Sequence, residues 1–251
     1  MTRNATLIYD VHKSHRQAFD PGVGGAPSNL ISPQLTGTSV TLADNRITAA
    51  SVSFACDAFE ITPLKTQVRD FGSDRWKPIC DLGQKAMLQN WLGAQEVVVF
   101  DHAATCESLG NVHIDYSKDE AEQRLVDLLA VDIAAEEAQG RHATVDPWRA
   151  VDHPINPAHV GFVRTSAVEL SDWNLLDLVY PDRKGQTIRL VESPEHEWIY
   201  HSKMTPDEVA IFNIYDNHRL PSIAHSALYI VEDSNVTTIR KSIEKPTLVR
   251  Q

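Results

Sequence analysis

The chain has 251 residues, 42% apolar and 23% charged, which is enough length and apolar content to bury a sizeable core and excludes global disorder. Its 34 acidic residues outnumber 23 basic ones, for a formal charge of -11, so a nucleic-acid backbone or an anionic membrane surface would be repelled. No run approaches the roughly 20 apolar residues that span a bilayer.

The N-terminal stretch MTRNATLIYDVHKSH has no apolar segment of the secretory kind. Three cysteines, Cys56, Cys80 and Cys106, lack C-x-x-C spacing, which argues against a disulfide scaffold and a cysteine-ligated zinc site. The expectation is one domain over residues 1–251 in a reducing, cytoplasmic setting. Its partner would be a small molecule, neither nucleic acid nor membrane, with the oligomeric state open.

The glycine- and proline-rich AFDPGVGGAPSN (18–29) reads as an irregular loop. SVTLAD (39–44) and ITAASVSFA (47–55) alternate and predict a hairpin turning at Asn45. A helix is predicted over 78–92, with Ile79, Leu82, Ala86 and the segment 88–91 facing the core and Gly93 as C-cap. EVVVF (96–100) reads as a buried strand. A second helix follows Tyr116, opened by a Ser117/Glu120 capping box, with Ala121, Leu125, Leu128, Leu129 and Ile133 at helical spacing and Gly140 at its end. From Gly161 onward TIRLV (187–191), EWIYH (197–201), VAIFNIY (209–215) and SALYIV (226–231) read as strands, with turns at PDRKG (181–185) and SPEH (193–196). Strands at this spacing predict an antiparallel sandwich or barrel, mainly β with flanking helices.

Of 11 histidines only His113 begins an H-x-D/E pattern, with Asp115. Residues i and i+2 of a strand share a face, so both side chains can converge on one cation. A distant third ligand would complete a 2-His-1-carboxylate triad, the arrangement that leaves open positions on Fe(II). Composition alone supplies about 1.5 such patterns, so the spacing by itself equally fits a surface His beside a solvated Asp. His225, at the start of SALYIV, is the proposed third ligand; His153, His159, His196, His201 and His218 are its alternates. Downstream, Arg240-Lys241-Ser242 places a guanidinium and a hydroxyl on one face, suited to the far carboxylate of a dicarboxylic acid, or to an ordinary ion pair. His102 reads as a structural residue, and Asp101 and Glu107 have no assigned partner. G-x-S-x-G, Walker A, G-x-G-x-x-G and H-E-x-x-H are all missing, and GVGGAP (22–27) reads as a turn.

YPDRKGQTIRLVESPEHEWIYHSKMTPDEVAIFNIYDN (180–217) resembles the AsaB-like hydroxylase/desaturase family, whose members carry YPDR-x-GE, NP-x-H-x-W-x-Y, M-x-PDEV and YDS landmarks in this order. VRDF (68–71), LGAQEVVVFDH (92–102), VHIDY (112–116) and PWRAV (147–151) are similar to its V-x-DF, TGA-x-x-V-x-x-FDH, VH-x-DY and WRP segments. The resemblance implies a double-stranded β-helix, a jelly roll of the cupin kind. It implies an Fe(II)- and 2-oxoglutarate-dependent dioxygenase consuming O2, hydroxylating or desaturating a small metabolite of secondary metabolism. Carried over by motif, His113, Asp115 and His225 would bind iron and be catalytic, and Arg240 and Ser242 would hold 2-oxoglutarate. Arg149 falls in the WR element without an assigned role. The chain departs from the pattern at AATCES (103–108), at Asn213 where relatives often carry lysine, and at Lys245-Pro246. Two alternatives remain at this stage: a non-haem iron oxidase that uses no 2-oxoglutarate, and a non-catalytic β-sandwich binding protein.

Overall fold

The computed structural model describes residues 3–13, 17–19, 34–48, 52–68, 70–105, 110–129, 133–134, 139–179, 184–218, 220–230 and 238–251. Most of the 18–29 loop, including GVGGAP, lies outside them, as do Cys106, Glu107 and the YPDR landmark. In chain order come β1 (Arg3–Asp10), β2 (Gln17–Phe19), β3 (Leu35–Asp44), helix α1 (Phe54–Asp57), β4 (Phe59–Pro63), helix α2 (Trp76–Leu92), β5 (Glu96–Val99), β6 (Ala103–Thr105), β7 (His113–Ile114) and helix α3 (Lys118–Leu129). Strands fill the rest: β8 (His142–Ala150), β9 (His159–Val163), β10 (Trp173–Val179), β11 (Lys184–Leu190), β12 (Trp198–Tyr200), β13 (Glu208–Asp216), β14 (His225–Ile230), β15 (Ser242–Glu244) and β16 (Thr247–Arg250).

Two sheets form. One runs β1-β3-β12-β9-β14-β7-β11-β10-β2, and β1 also pairs β14. The other runs β4-β13-β8-β15-β6, with β16 joining β8 to β5. Their inner faces meet through apolar side chains that alternate along the strands. Phe162 of the first sheet stacks on Phe59 at 4.5 Å and tilts against Phe212 at 5.2 Å, both from the second. Trp148, Ala150, Ala210 and Ile199 complete this layer. The mainly β class expected from the sequence, a double-stranded β-helix with helices outside, is borne out.

The predicted strands from 187 onward match β11 to β14. The N-terminal hairpin does not form. The chain does turn after Asp44, but β3 pairs β1 and β12 instead of the segment that follows. Phe54 is drawn into α1, where its ring packs on Trp91 at 5.1 Å, and Asp57 bonds back to the Ser53 backbone. An alternating pattern had concealed one helical turn.

Helix α2 ends at Gly93, which adopts φ 67°, the left-handed cap that glycine enters without a Cβ penalty. Its buried face differs from the predicted stripe. Trp76, Cys80, Gln84 and Leu88 are inside, while Ile79 is 42% and Leu82 72% exposed. Burial of Gln84 is compensated by hydrogen bonds from Nε2 to Thr247 Oγ1 (2.5 Å) and to the Lys245 carbonyl (3.4 Å). Helix α3 follows the capping expectation: Ser117 Oγ accepts the Glu120 N–H at 3.2 Å, and Ala121 and Leu125 are buried. Ile133, predicted on the same stripe, is exposed.

Strands β9 and β14 approach closely because Gly161, opposite Ser226, leaves room for Leu228. A Cβ on residue 161 would lie 2.4 Å from Leu228 Cδ1. Gly161→Ala is therefore expected to destabilise the protein by about 1–3 kcal/mol through overpacking. Thermal unfolding would show a midpoint several degrees lower; an unchanged midpoint would mean that Leu228 repacks without cost.

Candidate metal centre

Strand β7 is wedged between β14 and β11, with His113 opposite both His225 and Arg189. The two imidazoles, distant in sequence, become direct neighbours, with ring centroids 4.5 Å apart. Thr187 Oγ1 holds the wedge by donating to the Ile114 carbonyl at 2.7 Å. Asp115 sits at a bend just past the strand, and its carboxylate turns back to the pair. Its Oδ1 is 3.5 Å from His113 Nε2 and 3.9 Å from His225 Nε2.

The imidazoles are oriented from behind. His113 Nδ1 lies 2.7 Å from the Asn111 carbonyl and donates to it, which leaves the lone pair on Nε2 facing Asp115. His225 Nδ1 makes the equivalent, longer contact of 3.4 Å with the Ile223 carbonyl. Phe212, 4.7 Å from the His225 ring, supports it from the opposite sheet. Among the described residues His113, Asp115 and His225 are the one group of three such side chains whose donor atoms all lie within 4.8 Å of one another. Two imidazole nitrogens and one carboxylate oxygen at this separation suit a divalent transition metal, whose ligands at about 2.1 Å lie about 3 Å apart.

The protonation states of His225 and Asp115 favour cation binding, whereas His113 would have to exchange its attraction to a proton for a metal. Burial pushes the His225 imidazole down to about 4, aided by the charges of His113 and Arg240, so it is neutral. Burial opposes ionisation of Asp115, yet the two histidines hold its carboxyl below the ordinary value. Burial likewise opposes protonation of His113, but the Asp115 hydrogen bond and charge prevail, and its net shift is upward.

Behind this group, Ser242 and Glu244 of β15 share one face, and Ile243 faces the other way toward Val68, Trp76 and Cys80. Arg240, two residues before Ser242, donates from Nη1 to the Ala158 carbonyl at 3.2 Å and stacks over Trp148 at 5.5 Å. Its charge acts on both His225 and Glu244. Glu244, with the Trp148 indole donating to it, and Asp146 were not singled out from sequence. Burial raises both carboxyls, and the negative charge of Asp115 adds to the effect.

The alternate histidines lie elsewhere. His159 stands edge-on to Tyr200, and His196 lies between Tyr9 and Asp172. His201 contacts Glu208, and His153 contacts the Pro154 carbonyl. His218 donates its backbone N–H to Asp216. His102 is held by both Asp81 oxygens at 2.9 and 3.0 Å, and Asp101 accepts the His102 N–H. Asn213 has a positioning role that its sequence context did not reveal. Its Nδ2 donates to the carbonyls of Leu220 (3.2 Å) and Pro221 (2.9 Å), and its own carbonyl accepts from Ile223, fixing the segment that delivers His225.

Comparison with known proteins agrees with this geometry. A family model described as the YDMC oxidoreductase/YMDC permease-like domain matches residues 10–250. The chain belongs to this family. Despite the permease-like description, no helix among the described residues is long and apolar enough to cross a membrane. One curated relative, the hydroxylase/desaturase efuI of Hormonema carpetanum, is 31% identical over 153 residues, 55% of this chain; the match spans half of that relative's length. Among solved structures, the iron and alpha-ketoglutarate-dependent endoperoxidase NvfI matches with TM-score 0.87 and 19% identity, covering 99% of this chain and 98% of that one. A point variant of NvfI matches with TM-score 0.89 and 18% identity over 100% and 99%. These structures fix the family member's fold as a jelly roll, and the AsaB-like resemblance read from its motifs is borne out.

Proposed function

We propose that the protein is a non-haem Fe(II)- and 2-oxoglutarate-dependent oxygenase that hydroxylates or desaturates a small-molecule metabolite in secondary metabolism. The carrying observation is the convergence of His113, Asp115 and His225, with the Nδ1 of each imidazole turned to a backbone carbonyl and its Nε2 turned to the carboxylate. The names of the relatives, a hydroxylase/desaturase and an iron and alpha-ketoglutarate-dependent enzyme, point the same way. Residues 1–251 would act as one oxygenase domain in the cytoplasm.

In this reading His113, Asp115 and His225 hold Fe(II), and Arg240 and Ser242 hold the far carboxylate of 2-oxoglutarate. Bound there with O2, the metal and cosubstrate supply an oxidant strong enough to take hydrogen from an unactivated C–H bond. The protein's part is to fix the ligands, exclude water and place the target carbon. The Asn111 and Ile223 carbonyls keep each imidazole in the tautomer whose Nε2 is free to ligate. Phe162, Phe212 and Trp148 provide the apolar surround, and Arg240 offers its guanidinium across Trp148.

An anaerobic titration with Fe(II) and then 2-oxoglutarate tests this. A weak visible charge-transfer band should appear only when both are present, and labelled 2-oxoglutarate should release carbon dioxide in air. A protein that binds Fe(II) but releases none would be an oxidase independent of 2-oxoglutarate. One that binds neither would be a binding protein on the same fold.

A further inference from the structure

Arg149, left unassigned by the motif that contains it, lies on the opposite face of β8 from the metal centre. It sits across from Ile243, whose side chain packs under α2 with Cys80 and Trp76. Only 4% of Arg149 is exposed. Its Nη2 donates to the Leu64 carbonyl at 2.7 Å, Cys80 is in contact with it, and the negative charge of Asp207 acts on it from beyond ion-pair distance. No carboxylate among the described residues lies within ion-pair distance of it. Guanidinium groups stay charged, and buried ones are ordinarily paired.

This guanidinium lines a cleft of about 460 Å³. One wall is the apolar stripe of α2 that the helical pattern assigned to the core: Ile79, Leu82 and Ala86, all exposed. Gly83 lies on the same wall, with nothing within 4 Å of where a Cβ would be. A mid-helix glycine costs about 1 kcal/mol against alanine, and no neighbour inside the fold requires this one. Its bare backbone widens the cleft. At the inner end, Leu64, Cys80 and Arg149 also border a water-sized pocket of about 10 Å³ that reaches Lys245. Lys245 is 1% exposed, with Nζ 3.6 Å from Asp81. The charges of Arg149 and Lys245 repel each other, and Asp81 is also taken up by His102. Lys245 has Asp81 beside it and Asp207 acts on Arg149 only at a distance, so the inner end of the cleft presents a guanidinium without a directly paired carboxylate beneath an apolar wall.

We propose that this cleft is a second ligand site, which takes the carboxylate of a small apolar acid on Arg149 and its hydrocarbon part against Ile79, Leu82 and Ala86. The site is independent of the metal chemistry, because it lies behind the second sheet.

Calorimetric titration of the full chain with octanoate tests it, with octan-1-ol as the uncharged control. Octanoate should bind saturably, and octan-1-ol at least about tenfold more weakly, since charge-assisted hydrogen bonds contribute about 1.5–3 kcal/mol. Arg149→Met should weaken octanoate about tenfold or more. Should that variant fail to fold, Leu82→Glu decides: it places a repelling carboxylate on the exposed rim and should weaken octanoate as much. Arg240→Ala should leave the affinity unchanged. The proposal is overturned if octanoate shows no saturable binding, if octan-1-ol binds equally well, if Leu82→Glu has no effect, or if Arg240→Ala abolishes binding. It is also overturned if sedimentation finds a dimer that Leu82→Glu splits and octanoate does not bind, since the stripe would then cover a second copy.

Discussion

His113→Ala or His225→Ala should give a folded protein that no longer takes up Fe(II) at stoichiometric concentration and releases no succinate above background. The rings contribute to the site out of proportion to their contribution to the fold. His113 is half-buried on a two-residue strand that is held through its backbone and through Thr187. Removing it trims one ring from the edge of the inner layer, whereas Fe(II) loses one of three protein ligands, the minimum for a site of this class. The expected loss of metal affinity is at least about 100-fold, above the 10- to 100-fold typical of changes to groups that only support a ligand. Circular dichroism and thermal unfolding report the fold, and anaerobic metal titration reports the site. Either variant binding Fe(II) as the parent does would remove that histidine from the ligand set.

Arg240→Ala should raise the 2-oxoglutarate concentration needed for half-maximal turnover by about 10- to 100-fold, with Fe(II) binding retained. One or two charge-assisted hydrogen bonds to a carboxylate, at about 1.5–3 kcal/mol each, account for that range. Arg240→Lys should recover only part of the loss, because an ammonium lacks the planar fork and stacks less well over Trp148. The guanidinium also bonds to the Ala158 carbonyl, so some loss of stability is expected as well. The two effects separate experimentally: a structural role lowers the unfolding midpoint at every cosubstrate concentration, and a binding role shifts half-saturation. An unchanged requirement for 2-oxoglutarate would exclude Arg240 from the cosubstrate site.

The sheets were legible because short apolar and β-branched runs at 187–190, 209–215 and 226–230 are bounded by turn residues, and β13 in particular is buried almost continuously. The helix at 118–129 was legible from Ser117 and Glu120 together with the spacing of Ala121 and Leu125. Errors fell where polarity and burial part company. Gln84 is buried by hydrogen bonds that no hydropathy pattern encodes, and so the face of α2 was misassigned while its ends were placed well. In the N-terminal region, Phe54 fits an alternating pattern as well as a helical turn, and only tertiary packing on Trp91 decides between them. The candidate site was legible in part. H-x-D is weak evidence alone, and what singled it out was its place among family-like segments. Glu244 and Asp146 escaped notice, and Asn213 was marked only as a departure from the family pattern, because their roles depend on what lies across from them: Trp148 and Lys245 from the two acids, and the 220–223 segment from Asn213.

The wedge formed by β7 has a consequence for how the chain matures. His113 and Ile114 occupy opposite faces, so a slip of one residue against β14 would present an isoleucine to the carboxylate and send the imidazole outward. Iron would not repair such an error, because the misthreaded chain no longer offers the full set of ligands. If these three side chains hold iron as proposed, metal uptake would report correct insertion of this strand: only molecules that have paired His113 with His225 could be loaded.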